Sequence, residues 1–165
     1  MGSGLRLWRV GGGVIVSDDQ ILLVKNLRKG GIVDWTTPGG VIDKGETVLD
    51  GLTREVHEET GLSVGDWQGP LYRVEVEAPD MGFLLRAEAH LGHRVAGDLV
   101  IDDPDGIVIE AEYAPIERAQ ALLADANPWV SEPLLAHLID GVCDGRLFRY
   151  RMTGERREET IIERL

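Results

Sequence analysis

Three glutamates, Glu55, Glu58 and Glu59, have the type and spacing to act together. They lie in the segment 39–62, GGVIDKGETVLDGLTREVHEETGL. On a helix turning 100° per residue they fall within an arc of roughly 100°. Like charges at i, i+3 and i+4 repel by a few tenths of a kcal/mol per pair. Hard divalent cations with oxygen preference are the natural groups to offset that repulsion. Arg54, four residues before Glu58, can orient a carboxylate without binding metal itself. Gly51 falls in the same arc, where a mid-helix glycine costs about 1 kcal/mol relative to alanine. Its return is either room for a metal-bound phosphate or a close helix–strand contact, and geometry alone weighs the two equally. Before the helix, Pro38-Gly39-Gly40 forms a turn whose carbonyls can complete an oxygen shell.

These side chains need elements to position them. Residues 47–60 read as a helix, with Thr47 as cap, Asp50 three residues on, and Gly61 just past the last turn. Val48, Leu49, Leu52 and Val56 form the apolar stripe that should face a core. Residues 7–17 and 20–27 read as strands joined at the turn Asp18-Asp19. A loop with Arg28 and Lys29 follows, then the strand-like DWTTPGGVI. Residues 70–78, 82–91 and 107–113 read as further strands. Pro115 opens a helix near 115–124, and Pro133 opens one near 131–143. The tail reads as two short strands around Thr-Gly-Glu. The sum is an α/β chain with a mixed sheet covered by helices.

The composition bounds the setting. The chain has 165 residues, 43% of them apolar and 28% charged. That suits a single domain over residues 1–165 with its own core. One cysteine, Cys143, cannot form an internal disulfide and reads as a buried or half-buried apolar residue; a reducing, cytoplasmic compartment is the simpler expectation. No apolar run approaches 18 residues, so no membrane span is expected. The N-terminus lacks the pattern of a secretory signal. A formal charge of −12 repels phosphate backbones, so nucleic acid is not the expected partner. A small polyanion bridged by divalent cations remains compatible.

The wider spacing is Gly40, five residues, Glu46, seven residues, then Arg54-Glu55-Val56-His57-Glu58-Glu59-Thr60-Gly61-Leu62. Over residues 40–62 this resembles the signature box of the Nudix hydrolases at every specified position. The resemblance implies an α/β/α sandwich with a central mixed sheet. It implies hydrolysis, with Mg²⁺ or Mn²⁺, of a nucleoside diphosphate linked to another group. Carried over, Glu55, Glu58 and Glu59 become metal ligands and the Gly39 carbonyl a further one. Glu46 and Arg54 brace the loop and helix and orient those carboxylates. The family also often uses a glutamate on a late strand just before an aromatic residue. Here Glu112 before Tyr113 fits, as general base and added ligand, with Glu110 second.

Recognition of the substrate is less sharply written. Arg28 and Lys29 can meet a terminal phosphate, and Gly51 and Glu110 join them as candidate substrate contacts. Trp8, Tyr72, Phe83, Tyr113 and Trp129 are candidates for stacking on a base, each also suited to a core; Trp35 reads as core. His90 and His93 lack the partners of a zinc site, and His57 reads as solvated. The expected substrates are, in order, nucleotide sugars such as ADP-ribose, nucleoside triphosphates and dinucleoside polyphosphates. The rival readings are a non-catalytic Nudix-type module and an isopentenyl-diphosphate-isomerase-like enzyme. The tail segments LFRY and TIIERL either pair across the two-fold axis of a homodimer or complete the sheet.

Overall fold

One residue, Ile15, divides the first expected strand in two. In the computed structural model, which describes residues 4–165, β1 spans Arg6–Val14 and β2 spans Val16–Ser17. Each belongs to a different sheet, and Ile15 is buried where the chain passes between them. The same happens in DWTTPGGVI. There β4, Val33–Thr36, belongs to the smaller sheet and β5, Gly39–Val41, to the larger. Periodicity shows the extended backbone of such a segment but not its change of partner.

The other strands are β3 (Gln20–Leu27), β6 (Ser63–Ala78), β7 (Phe83–Ala96), β8 (Val108–Ala114), β9 (Arg146–Thr153) and β10 (Ile161–Arg164). The larger sheet runs β10-β9-β6-β7-β1-β5 and is mixed: β1 lies parallel to β7 and β6 parallel to β9, while the other pairings are antiparallel. In the smaller sheet β3 pairs with β2, β4 and β8, all antiparallel. The turn at Asp18-Asp19 closes the β2–β3 hairpin as expected, both residues at positive φ. β6 and β7 extend well beyond 70–78 and 82–91, because Val64 and Trp67 find register partners in Val95 and Gly92. The tail strands β9 and β10 pair with each other, Ile161 opposite Thr153, and so complete the larger sheet.

Three helices are present among the described residues: α1 (Val48–Thr60), α2 (Ile116–Leu123) and α3 (Pro128–Asp140). The last begins earlier than expected. Pro128, not Pro133, takes the first turn, and Pro133 sits buried inside the helix. α1 sends Leu52 and Val56 into a cluster with Ile15, Leu22, Leu62 and Val64. α2 and α3 send Ala119, Leu123 and Leu134 into the second cluster, with Val74, Val76, Phe148 and Tyr150. The sheets thus lie between α1 and the α2–α3 pair, the mixed α/β sandwich that the sequence suggests. Full burial of a leucine such as Leu52 is worth roughly 1.5–3 kcal/mol, and Leu52 has no exposed surface.

Two expectations need correcting. Leu49 is exposed, so the apolar stripe of α1 is narrower than read, with Gly51 and Thr60 joining Leu52 and Val56 in the buried face. Cys143 is exposed rather than buried. The expected single domain includes residues 1–3, which lie outside the described residues. No helix among the described residues is long and apolar enough to cross a membrane.

Candidate active site

α1 is fixed at both ends. The Thr47 hydroxyl accepts from the Asp50 N–H at 3.1 Å, satisfying one of the orphan donors of the first turn. Gly61 adopts a left-handed conformation and its N–H donates to the His57 carbonyl. The buried face of the helix is centred where Glu55 and Glu59 point. β5 passes against this face. A Cβ at Gly40 would stand 2.7 Å from Glu55 Oε2, and one at Gly39, whose φ is +149°, would collide with the Gly11 carbonyl oxygen. Glycine at these two positions lets β5 run between β1 and the carboxylates.

Arg54 organises the acidic face. Its Nε and Nη2 each donate to Glu46 at 2.9 Å, and Nη1 donates to Glu55 at 3.1 Å and Glu58 at 3.3 Å. Glu46 also accepts the Asp43 N–H at 2.8 Å. The Arg54 guanidinium, helped by that N–H, holds the Glu46 carboxyl down at about 2. Glu55 and Glu59 shift the other way. Burial raises Glu55, against the pull of Arg54. Burial pushes Glu59 up to about 9, and the neighbouring charges of Glu55 and Asp103 add to the shift. Glu59 is 8% exposed and accepts the Gly39 N–H at 3.4 Å. Desolvation and a like charge nearby both disfavour the ionised form of a carboxylate.

Glu55, Glu59, Gly39 and Gly40 open onto a cavity of about 670 Å³, within the roughly 300–1,000 Å³ usual for small-molecule sites. Asp103 and Asp105 add carboxylates to its wall; Val74, Leu85 and Ala87, with Trp129 from the first turn of α3, make an apolar part, and Asn127 lies beside it. Asn127 occupies the N-cap position but makes no side-chain capping bond. Asn26, Arg28, Asp34 and Arg157 complete a polar part.

The expected site residues therefore divide. Glu55, Glu59, Gly39, Arg28 and, through Arg54, Glu46 and Glu58 are brought together. Glu112 is not: β8 directs it to Arg118 of α2, 3.0 Å away, and it does not line the cavity. Glu110 is likewise turned out, to Lys25 at 3.2 Å. Lys29 is exposed on its loop. Gly51 does not line the cavity. A Cβ there would meet Ile42 Cδ1 at 2.8 Å and Glu46 Oε1 at 3.1 Å, so the glycine serves a close contact between the helix and the segment after β5. Of the aromatic candidates, Trp129 and Tyr72 line the cavity. His57 is exposed, as read.

Asp103, Asp105, Asn26, Asp34 and Arg157 were not singled out from sequence. Asp103 carries a local signal, Asp-Pro-Asp-Gly, the pattern of an Asx turn. Its carboxylate accepts the N–H groups of Asp105, Ile107 and Val108 at 2.9–3.1 Å.

The donor set can be judged for a metal. Among the described residues no three His, Cys, Asp or Glu side chains converge as they stand, and both Glu55 and Glu58 accept from Arg54. Yet every group offered is a hard oxygen, two of them desolvated carboxylates beside a backbone turn. That chemistry fits Mg²⁺ or Mn²⁺ better than softer ions.

Residues 7–138 match the family model described as the NUDIX domain. The chain belongs to the Nudix family. Relatives of this Nudix chain include an RNA pyrophosphohydrolase of Ruthia magnifica, 43% identical over 34% of this chain and 31% of that protein. An ADP-ribose pyrophosphatase of Methanocaldococcus jannaschii is 42% identical over 30% of each. The matched stretch thus spans about a third of the length of these curated relatives. The solution structure of the E. coli ORF135 protein superposes with a TM-score of 0.68 at 20% identity, covering 85% of this chain and 96% of that one; it shows the shared Nudix fold. The tail that carries β9 and β10 lies beyond the matched residues.

Proposed function

We propose that this Nudix chain hydrolyses the pyrophosphate bond of a nucleoside diphosphate joined to another group, the class that includes ADP-ribose and other nucleotide sugars. The observation that carries this reading is the Glu55–Glu59 carboxylate pair, packed beside Gly39 and Gly40 and opening onto a cavity that also has an apolar part. Both relatives named above are pyrophosphohydrolases or pyrophosphatases by name, and they differ in the group attached.

Glu55, Glu58 and Glu59, with the Gly39 carbonyl, would hold Mg²⁺ or Mn²⁺. When bound, such ions neutralise phosphate oxygens and lower the pKa of water. The chain's own residues do the rest. Arg54 and Glu46 keep the carboxylates oriented by a fan of charge-assisted hydrogen bonds. The apolar wall at Val74, Leu85 and Trp129 receives the nucleoside, and the uncommitted Asn127 amide can read the edge of a base. Water adds to one phosphorus, the bridging P–O bond breaks, and the products are a nucleoside monophosphate and the phosphorylated second group. The water's proton passes to a carboxylate on the cavity wall. The exposed lone thiol of Cys143 accords with a cytoplasmic setting.

The test is turnover of a panel of ADP-ribose, nucleotide sugars, nucleoside triphosphates and diadenosine polyphosphates with Mg²⁺, alongside Glu58→Gln and Glu59→Gln. Turnover of one compound, lost in both variants, supports the reading. No turnover of any compound by a protein that still binds the metal overturns it.

A further inference from the structure

Arg157 opens a short 3₁₀ turn, Arg157–Glu159, between β9 and β10. The turn lies outside the residues that match the family model, yet Arg157 lines the cavity together with Arg28 and Asp34. Its position is built. The Gly154 N–H donates to Asp80 at 2.8 Å, and the Thr160 hydroxyl donates to the Arg157 carbonyl at 2.9 Å. The β9–β10 ladder resumes at once with Ile161 opposite Thr153.

The cluster has a surplus of positive charge. Asp34 accepts from Arg28 Nε and Nη2 at 3.1–3.2 Å and from Asn26 Nδ2 at 3.0 Å. Arg157 Nη2 stops 3.8 Å from the same carboxylate. None of the Arg157 guanidinium donors makes a hydrogen bond among the described residues. A guanidinium that merely pinned the tail would close on Asp34. This one is half-exposed, beside a carboxylate already satisfied by other donors. Two arginines against one aspartate leave one net positive charge on a wall that is otherwise acidic at Asp43, Glu55, Glu59, Asp103 and Asp105.

We infer that Arg157 and Arg28 form a fork for an anionic oxygen group on the part of the substrate distal to the nucleoside, with Arg157 the specificity-determining residue. This rests on the pyrophosphohydrolase reading for its substrate and sharpens it. Planar guanidinium donors match the oxygens of a phosphate in pairs. The favoured substrates are then nucleoside diphosphates whose further group carries a terminal phosphate, nucleoside triphosphates among them, over those ending in a neutral sugar.

The test compares ATP with ADP-ribose, which share a nucleoside and differ in charge at the far end. The readout is the ratio of their kcat/KM values in the parent, Arg157→Gln, Arg157→Lys and Arg156→Gln. Loss of one charge-assisted contact lowers the ratio roughly ten-fold in Arg157→Gln, through KM for ATP. Arg157→Lys recovers part of it, and the exposed neighbour variant Arg156→Gln leaves the ratio where it was. A ratio unmoved by Arg157→Gln, or moved equally by Arg156→Gln, overturns the inference. If the parent turns over neither compound, the wider panel decides on the hydrolase reading, and titration calorimetry of ATP and ADP-ribose decides on the fork. Weakened ATP binding alone in Arg157→Gln supports it, and equal weakening of both, or of neither, overturns it.

Discussion

The backbone N–H of Gly39 donates to Glu59 Oε2 at 3.4 Å, joining the first residue of β5 to the last turn of α1. Strand and helix thereby share one carboxylate that water scarcely reaches. The site's acidity is a property of that junction rather than of the helix alone.

Glu59 makes the metal-free protein pH-sensitive. Its folded pKa of about 9 stands above the ordinary value of 4.5, mainly through burial. The stability associated with its protonated form is complete below the unfolded value and is lost as pH rises toward the folded one. Glu59→Gln keeps an acceptor for Gly39 and removes the charge. In chelator, the variant should melt higher than the parent at about pH 8 and gain little at about pH 5. Equal melting differences at both pH values would contradict the assignment.

Arg54→Lys should cost activity out of proportion to stability. Lysine cannot span Glu46, Glu55 and Glu58 at once. Loss of a residue that orients metal ligands typically lowers metal affinity or activity roughly 10–100-fold. The expected signature is a raised Mg²⁺ requirement with thermal stability little changed. An unchanged Mg²⁺ titration would show that the fan is ornamental to catalysis.

Gly51→Ala sets helix propensity against packing. Alanine should gain about 1 kcal/mol as a helix former, but the added methyl meets Ile42 and Glu46 at 2.8–3.1 Å. Overpacking of that kind costs typically 1–3 kcal/mol. Denaturant midpoints should therefore move down, and a stabilised variant would mean that Ile42 yields freely.

Asp103 and Glu112 should behave oppositely. Asp103→Ala strips the acceptor from three backbone N–H groups of the loop that walls the cavity. Only the Val108 N–H belongs to a buried residue; leaving it unmet costs about 1–3 kcal/mol, and kcat/KM should fall as the loop loses its order. Glu112→Gln gives up only an exposed pair with Arg118 and should leave kcat/KM within about two-fold, as surface pairs contribute little. Steady-state kinetics on both variants checks the contrast. A Glu112→Gln enzyme without activity would return that residue to the site.

The acidic helix was legible because its information is local. Thr47, Gly61 and the Arg54–Glu59 spacing each act within a turn or two, and the structure follows them closely. Glu110 and Glu112 lie away from the cavity although β8 forms where its strand is expected. Strand alternation puts two residues on one face but does not say what lies opposite, and Arg118 and Lys25 decided that. α3 was read to start late because Pro133 looked like its first turn; Pro128 is the residue that serves there. Asn26 and Asp34 face each other across β3 and β4, but Arg157 lies far along the chain and joins them only when the tail adds its strands. No spacing rule reaches across such a separation.

The crossings of the chain from one sheet to the other, at Ile15 and at Thr37-Pro38, stitch the two sheets together beside the carboxylates. Such a seam cannot open by parting the sheets without tearing the backbone that joins them. Changes in what the cavity admits must then come from the segments at its rim: 28–32, 97–107 and 154–160, which contribute Arg28, Asp103 with Asp105, and Arg157 respectively. These rim segments can be lengthened, shortened or recharged while the carboxylates of α1 stay in place. A descendant of this chain could change its diet by editing three loops.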